Sequence, residues 1–306
     1  MENPLVSVVV VSYNQAQYIV QNLDAIKSQT YSNWELIVAD DASSDDSVPV
    51  FKKWLQENNI PAKEIFHPKN TGLATVLNEA VELCAGEYVK LIAADDYLHP
   101  ECLEKSVRCL EEKGKEYGMV FTDTFCVDEN SHFLRDIADY NRLGNIPPEE
   151  FRKELIKGNR IAALTVLMRT SVVKETGKYD ARFVVEDYFR WLKISQRYFI
   201  AYIPEKLTYY RLHDENISKT KAERIATECM MLQLMFDQDG VLKDRINHFF
   251  NDQYILRQEI PVELVQYFNN YPFGMKLLKF CINNNVPTFV FRIIYSISRR
   301  MNLKLR

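Results

Sequence analysis

Two pairs of adjacent aspartates, Asp40-Asp41 and Asp95-Asp96, each follow a short apolar run, and Tyr13-Asn14 follows a third. The runs are Val6 to Val11, Trp34 to Ala39 and Tyr88 to Ala93. Short runs rich in β-branched residues fit strands buried on both faces of a parallel sheet. Ligands of an open parallel sheet bind beyond the carboxyl ends of its strands. Four carboxylates and an aromatic ring can therefore converge on one crevice. Carboxylates gathered in this way repel one another unless a cation joins them. The natural partner is a hard divalent ion with oxygen ligands, shared with the phosphates of a substrate. The plainer alternative is helix capping, because Asp caps well before Ser44-Asp45 and before a helix opened by Pro100. Capping explains either pair alone more easily than both pairs at one edge.

The elements that must position these groups alternate along the chain. Residues 17–28 carry Ile19, Leu23 and Ile26 at helical spacing, and a second helix starts near Ser47. A short strand over 62–67 precedes a helix over 72–84 with Leu73, Val76, Leu77, Ala80 and Val81 on one side. Pro100 opens a helix to about Lys113, and Met119 to Thr124 is the next strand. This alternation predicts an α/β fold with a mostly parallel central sheet and helices on both faces. Beyond Phe125 the order is less regular: a loop with a hairpin over 128–148, a helix over 147–157, a strand over 164–168, a helix over 186–196 and a last strand over 207–212. From Ser218 onward only helical patterns appear, so a boundary is expected there: 1–217 catalytic, divided near residue 97, and 218–306 helical.

Composition narrows the function. The 306 residues suit a catalytic domain with a substantial appendage. A net charge of -4 carries no nucleic-acid signature. No G-x-G-x-x-G follows the first strand, and no phosphate-binding G-x-x-x-x-G-K-[ST] occurs, which removes the main support for dinucleotide and P-loop chemistry. H-E-x-x-H and G-x-S-x-G are also missing. None of the six cysteines forms a C-x-x-C pair, as expected of free thiols in a reducing compartment. The opening MENPLVSVVVVSYN has no positive flank and reads as a strand. A cytoplasmic location is expected.

The segment PLVSVVVVSYNQAQYIVQNLDAIKSQTYSNWELIVADDASSDDS resembles the opening of family 2 glycosyltransferases, which use the GT-A fold. The resemblance continues through NTGLATVLNEAV and GEYVKLIAADDYLHPECL, resumes at VVEDYFRWLKIS and fades after YYRLHDENIS. It implies an inverting transfer of a sugar from a nucleotide-diphosphate sugar, most commonly of uridine diphosphate, to an acceptor hydroxyl in glycan or polysaccharide synthesis. By the same resemblance Tyr13 would stack on the nucleotide base, Asp41 would accept a hydrogen bond from it, and Asp95 would bind the ribose or the donor sugar. Asp96 would ligate Mg2+ or Mn2+, and His213 occupies a position of metal or phosphate contact. Asp187 of Glu186-Asp187 would be the catalytic base. Adjacent helical residues diverge by about 100°, so only one of the two can face the site. Leu77 departs from the family, in which Arg or Lys is common at that place.

The C-terminus is basic. No acidic residue follows Glu263, while Lys276, Lys279, Arg292, Arg299, Arg300, Lys304 and Arg306 do. Phe289, Val290, Ile293, Ile294 and Ile297 form an apolar stripe at roughly helical spacing. Two outcomes are open: the stripe lies on an anionic membrane surface near lipid-linked acceptors, or it packs on protein.

Overall fold

β1 (Val6–Ser12) is buried along its whole length. Its unbroken valine run requires that, since cover on both faces alone removes so much apolar surface from water. The structure is a computed structural model and describes residues 3–136, 143 and 146–300. β2 (Trp34–Asp40), β3 (Ala62–Phe66) and β4 (Tyr88–Ala93) extend a parallel sheet from β1. The helices α1 (Ala16–Lys27), α2 (Ser47–Asn58) and α3 (Leu73–Leu83) are the crossovers between them. The register sets Val11 beside both Ala39 and Ala93. The carboxyl ends of three strands are therefore level, and the residues after them share one edge.

The sheet is mostly parallel, as expected, and its far half holds the antiparallel pairings. That half is built from β5 (Tyr97–Leu98), β6 (Tyr117–Val127), β7 (Leu167–Arg169) and β8 (Phe199–Arg211). The full order is β3-β2-β1-β4-β7-β6-β8-β5. β7 runs antiparallel to both β4 and β6, β6 and β8 are parallel, and β5 is antiparallel to β8. The sheet is mixed. β8 also starts well before the expected Leu207. Thr122 pairs with Ile203 and the adjacent Asp123 with Lys206, so Pro204 and Glu205 are extra residues in β8. A proline is accommodated at such an irregularity because its missing N–H costs no ladder bond there.

Helices cover both faces. α1, α2 and α4 (Cys102–Lys113) bury Ile19, Leu23, Phe51, Trp54, Leu103 and Val107 against alternate residues of β1, β2 and β4. α3 packs on the opposite face. Further helices follow: α5 (Pro148–Leu155), α6 (Thr170–Glu175) and α7 (Glu186–Ser195), with a last four-residue helical turn at Ile217–Thr220. A single 3-10 turn, Ala163–Thr165, takes the start of the strand expected from residue 164. The hairpin expected after Val127 is present as an antiparallel bridge to Phe133. Part of that loop, 137–142 and 144–145, lies outside the described residues.

The chain divides into two units, Met1–Glu154 with Asn159–Lys221, and Leu155–Gly158 with Ala222–Arg306. The second is helical: α8 (Ala222–Phe236), α9 (Lys243–Ile255), α10 (Val262–Asn270), α11 (Lys276–Asn283) and α12 (Thr288–Arg300). Its core centres on Phe250 stacked on Phe268, with Phe291 edge-on to Tyr254. Among the described residues no helix is long and apolar enough to cross a membrane.

Candidate functional site

β4 ends into a tight turn that delivers Asp95 and Asp96, both buried, at 7% and 6% exposure. Asn22 on α1 holds the turn by donating to the carbonyls of Ala93 and Asp96, at 3.1 and 2.8 Å. Asp95 Oδ2 meets His213 Nε2 at 2.9 Å, whereas Asp95 Oδ1 is buried with no hydrogen-bond partner. Asp96 Oδ1 accepts the backbone N–H of Arg211 at 2.9 Å. Burial, followed by the charge of Asp95, pushes the Asp96 carboxyl well above its ordinary range; the Arg211 N–H and the charges of Arg211 and Lys90 pull the other way. His213 arrives from the loop after β8 and stacks on Tyr18, with ring centroids 5.7 Å apart. It therefore lies against Asp95 rather than Asp96.

The carboxylates expected in one crevice divide into two duties. Asp40 is turned into its own loop, where it accepts the N–H and hydroxyl of Ser43 at 2.8 and 2.6 Å. Asp41 anchors the approach to α3. It accepts the N–H groups of Thr71 and Gly72, each at 2.8 Å, the Thr71 hydroxyl at 3.0 Å and a contact from His67 Nδ1 at 2.9 Å. Gly72 has φ +88, a conformation that glycine enters without strain. Burial works against the charged form of Asp41, but the hydrogen bonds from Thr71, His67 and Gly72 together outweigh it and hold the carboxyl below its usual range. Asp41 is thus an ionised acceptor, with a single internal donor on Oδ2. Tyr13, one residue beyond β1, is 52% exposed, so its ring is open to a partner.

Asp187 sits in the first turn of α7, half-buried. Its Oδ2 accepts Asn159 Nδ2 at 2.9 Å, and its Oδ1 accepts the N–H of Tyr188. Burial raises its pKa despite these bonds. A base displaced upward from an ordinary aspartate holds an abstracted proton more readily. The loop leading to α7 is tied to α3: Asn78 Nδ2 donates to the carbonyl of Tyr179 at 2.9 Å, and Asn78 Oδ1 accepts the Tyr179 N–H at 2.7 Å. Leu77 beside it is 6% exposed and packs in the interior.

The donor set suits a hard divalent cation. Two buried aspartates lie side by side, one oxygen of Asp95 has no partner, and an imidazole stands against the other oxygen of Asp95. Oxygen and imidazole ligands of this kind match Mg2+ or Mn2+. Among the described residues no group of three or more such side chains is gathered closely enough to hold an ion alone. Substrate phosphates would complete the shell, as is usual for Mg2+.

Several residues around these groups carry little or no signal in the sequence. His67 lies between Asp41 and Glu79, 2.9 Å from each. Asn159 touches Asp187 across 28 positions, and Arg211 reaches Gln21 across 190. Arg211 stands inside the Tyr210-Arg211-Leu212-His213 stretch that marks His213, and that stretch is the one available clue to it.

Comparison with known proteins identifies the family and the fold. Residues 7–175 match the glycosyl transferase family 2 profile. An uncharacterized glycosyltransferase of Haemophilus influenzae is 31% identical over 228 residues, 71% of this chain and 69% of that protein. Chondroitin synthase of Escherichia coli is 29% identical over 225 residues, 72% of this chain and 31% of that one. Among solved structures, S. aureus TarS 1–349 in complex with UDP-GlcNAc superposes with a TM-score of 0.66 at 18% identity, covering 90% of this chain and 85% of that one. The Pyrobaculum calidifontis mannosyltransferase PcManGT, in complex with GDP-Man and Mn2+, gives 0.59 at 16%, covering 99% and 81%. The fold is of the GT-A type, with C-terminal helices. On the profile match over more than half its length, the chain belongs to glycosyl transferase family 2 and is a glycosyltransferase.

Proposed function

We propose that the first unit moves a sugar from a uridine-diphosphate sugar to an acceptor hydroxyl, with inversion at the anomeric carbon. The observation that carries the reading is the unpartnered Asp95 Oδ1, buried beside Asp96 at the sheet edge where Tyr13 and Asp41 also emerge. Tyr13 stacks on the nucleotide base and Asp41 accepts an N–H from it. Asp95 binds the ribose or the donor sugar, and Asp96 and His213 would hold Mg2+ or Mn2+. That cation, when bound, supplies positive charge against the departing diphosphate. Asp187 takes the proton of the acceptor hydroxyl as the oxygen attacks, and Asn159 fixes one of its carboxylate oxygens. Direct displacement needs no covalent intermediate, so one carboxylate suffices, and an α-linked donor gives a β-linked product. The UDP, UDP-GlcNAc and GDP-Man found in the neighbouring structures support a nucleotide-sugar donor.

The acceptor is a glycan or a lipid-linked glycan of a cell-surface polysaccharide, a reading in keeping with the chondroitin synthase relative. The enzyme works in the cytoplasm, at the inner face of the membrane. Support comes from α12, where Phe289, Ile293 and Ile297 are 62%, 56% and 50% exposed while Phe291 is buried. Arg292 is exposed on the same helix, and no acid follows Glu263. Such a face fits anionic lipid, with each nearby cation adding about 1 kcal/mol. The donor reading is tested by thermal shift with a panel of nucleotide-sugars in Mn2+. Stabilisation by UDP-sugars above all others is the expected result, and a response to none of the panel would overturn it.

A further inference from the structure

Arg211 ends β8 and is 1% exposed, yet it makes no ion pair with the two buried carboxylates beside it. Its guanidinium is spent on neutral oxygens. Nε donates to the Asp95 carbonyl at 2.8 Å. Nη1 donates to the carbonyls of Asp128 and Glu129, each at 3.0 Å, and to Ser131 Oγ at 3.1 Å. Nη2 donates to Gln21 Oε1 at 2.6 Å. The Arg211 backbone N–H is the group that reaches Asp96 Oδ1, at 2.9 Å. The Tyr18 and Tyr97 rings lie 4.5 and 5.5 Å from the guanidinium carbon, and Tyr18 in turn stacks on His213.

One side chain thus ties four pieces of chain together: the Asp95-Asp96 turn, the turn at 128–131, α1 through Gln21 and Tyr18, and the His213 loop through Tyr18. A buried cation placed this way lowers the cost of two adjacent carboxylates by its charge without occupying their oxygens. Asp95 Oδ1 is left open as a result.

We propose that Arg211 is the positioning residue of the diphosphate site: its guanidinium fixes Asp95, Asp96 and His213 in the arrangement that accepts a divalent cation with a nucleoside diphosphate. The proposal rests on the reading of those three residues as the cation–diphosphate site. Lysine cannot substitute. A planar fork with five donors meets five oxygens and lies within 5.5 Å of two rings, whereas an ammonium is a point charge with three donors.

The test measures the affinity of the full chain for UDP by calorimetry, once with Mn2+ and once with EDTA. It compares wild type, Arg211→Lys, Tyr18→Leu and Asp96→Ala, and takes the thermal transition of each. Arg211→Lys is expected to lose at least about tenfold in UDP affinity with Mn2+ and little in EDTA, while keeping a cooperative transition. Wild-type affinity with Mn2+ overturns the proposal. An equal loss with and without Mn2+ also overturns it, because it marks general disorder rather than positioning. Should Arg211→Lys not fold, Tyr18→Leu decides by the same two affinities, since it removes the ring that joins the guanidinium to His213. An Asp96→Ala variant that binds UDP with Mn2+ as wild type does sinks the reading of the site. Loss there with no loss in Arg211→Lys sinks only the role of Arg211.

Discussion

A carboxyl that burial keeps protonated to a higher pH than usual is a cost to folding and an advantage to a base. For Asp187 both consequences can be measured. With Asp187 as the proposed base, turnover requires its ionised form, so kcat should fall as pH drops through a value above that of an ordinary aspartate. Asp187→Asn should retain donor affinity and lose about 10²-fold or more in turnover, because the amide keeps the shape but cannot take the proton. A near-normal rate in that variant would place the base elsewhere. The sign for stability is opposite. The folded-state pKa is raised, so stability declines as pH climbs from the unfolded value through the folded one. Asp187→Asn should therefore melt no lower than wild type at neutral pH, and any gain should vanish in acid. Asp96→Ala should abolish Mn2+-dependent UDP binding; titration calorimetry that finds equal affinities would refute the assignment. At this scale the sequence makes Tyr13, Asp41, Asp95 and Asp96 legible, because strand ends are marked by abrupt changes from apolar to acidic residues. His67, Asn159 and Arg211 escape notice because their partners lie 26, 28 and up to 190 positions away, beyond any local pattern.

The elements that carry these groups differ in how openly they announce themselves. β1, β2 and β4 are mostly apolar runs, and α1 and α3 show their core faces at helical spacing, so these bounds, with the start of α2 and both ends of α4, follow within a residue or two. β5 has two residues, too few for any periodicity, and goes unread; β7, at three residues, is expected from residue 164 and starts three residues later, and the antiparallel pairings of both carry no local signal. β8 hides its first half behind Pro204-Glu205-Lys206, which looks like a turn but is an irregularity in a continuous strand. One tie between elements leads towards the proposed base. Asn78 of α3 grips both backbone groups of Tyr179 in the loop before α7. Asn78→Ala should cost about 1–3 kcal/mol, as expected for stranding hydrogen-bonding groups away from water. It should lower kcat more than it raises the donor KM, since Asp187 lies downstream of the loosened loop. Denaturant unfolding and steady-state kinetics check the two parts separately. An unchanged kcat would show that the loop is held by other contacts.

On the scale of the whole chain, the second unit poses a question of surface chemistry. α12 anchors itself through Phe291, which lies edge-on to Tyr254 and stacks on Tyr295, while Phe289, Ile293 and Ile297 remain uncovered. Flotation with anionic and neutral liposomes separates the two outcomes left open by the sequence. Binding that needs anionic lipid and vanishes on deletion of residues 287–306, with soluble-acceptor activity intact, is the expected result. Failure of the folded full-length chain to float with either liposome would leave contact with protein as the role of the stripe. The same uncovered stripe carries a kinetic corollary. A catalyst confined to a surface meets acceptors confined to that surface by lateral diffusion in two dimensions, and the local concentration of a tethered pair reaches the millimolar range. Rates with a water-soluble acceptor would then understate the enzyme. Turnover would scale with acceptor density per unit area of bilayer, and diluting a fixed mixture of enzyme and acceptor-bearing vesicles in buffer would leave it nearly unchanged while the enzyme stays bound.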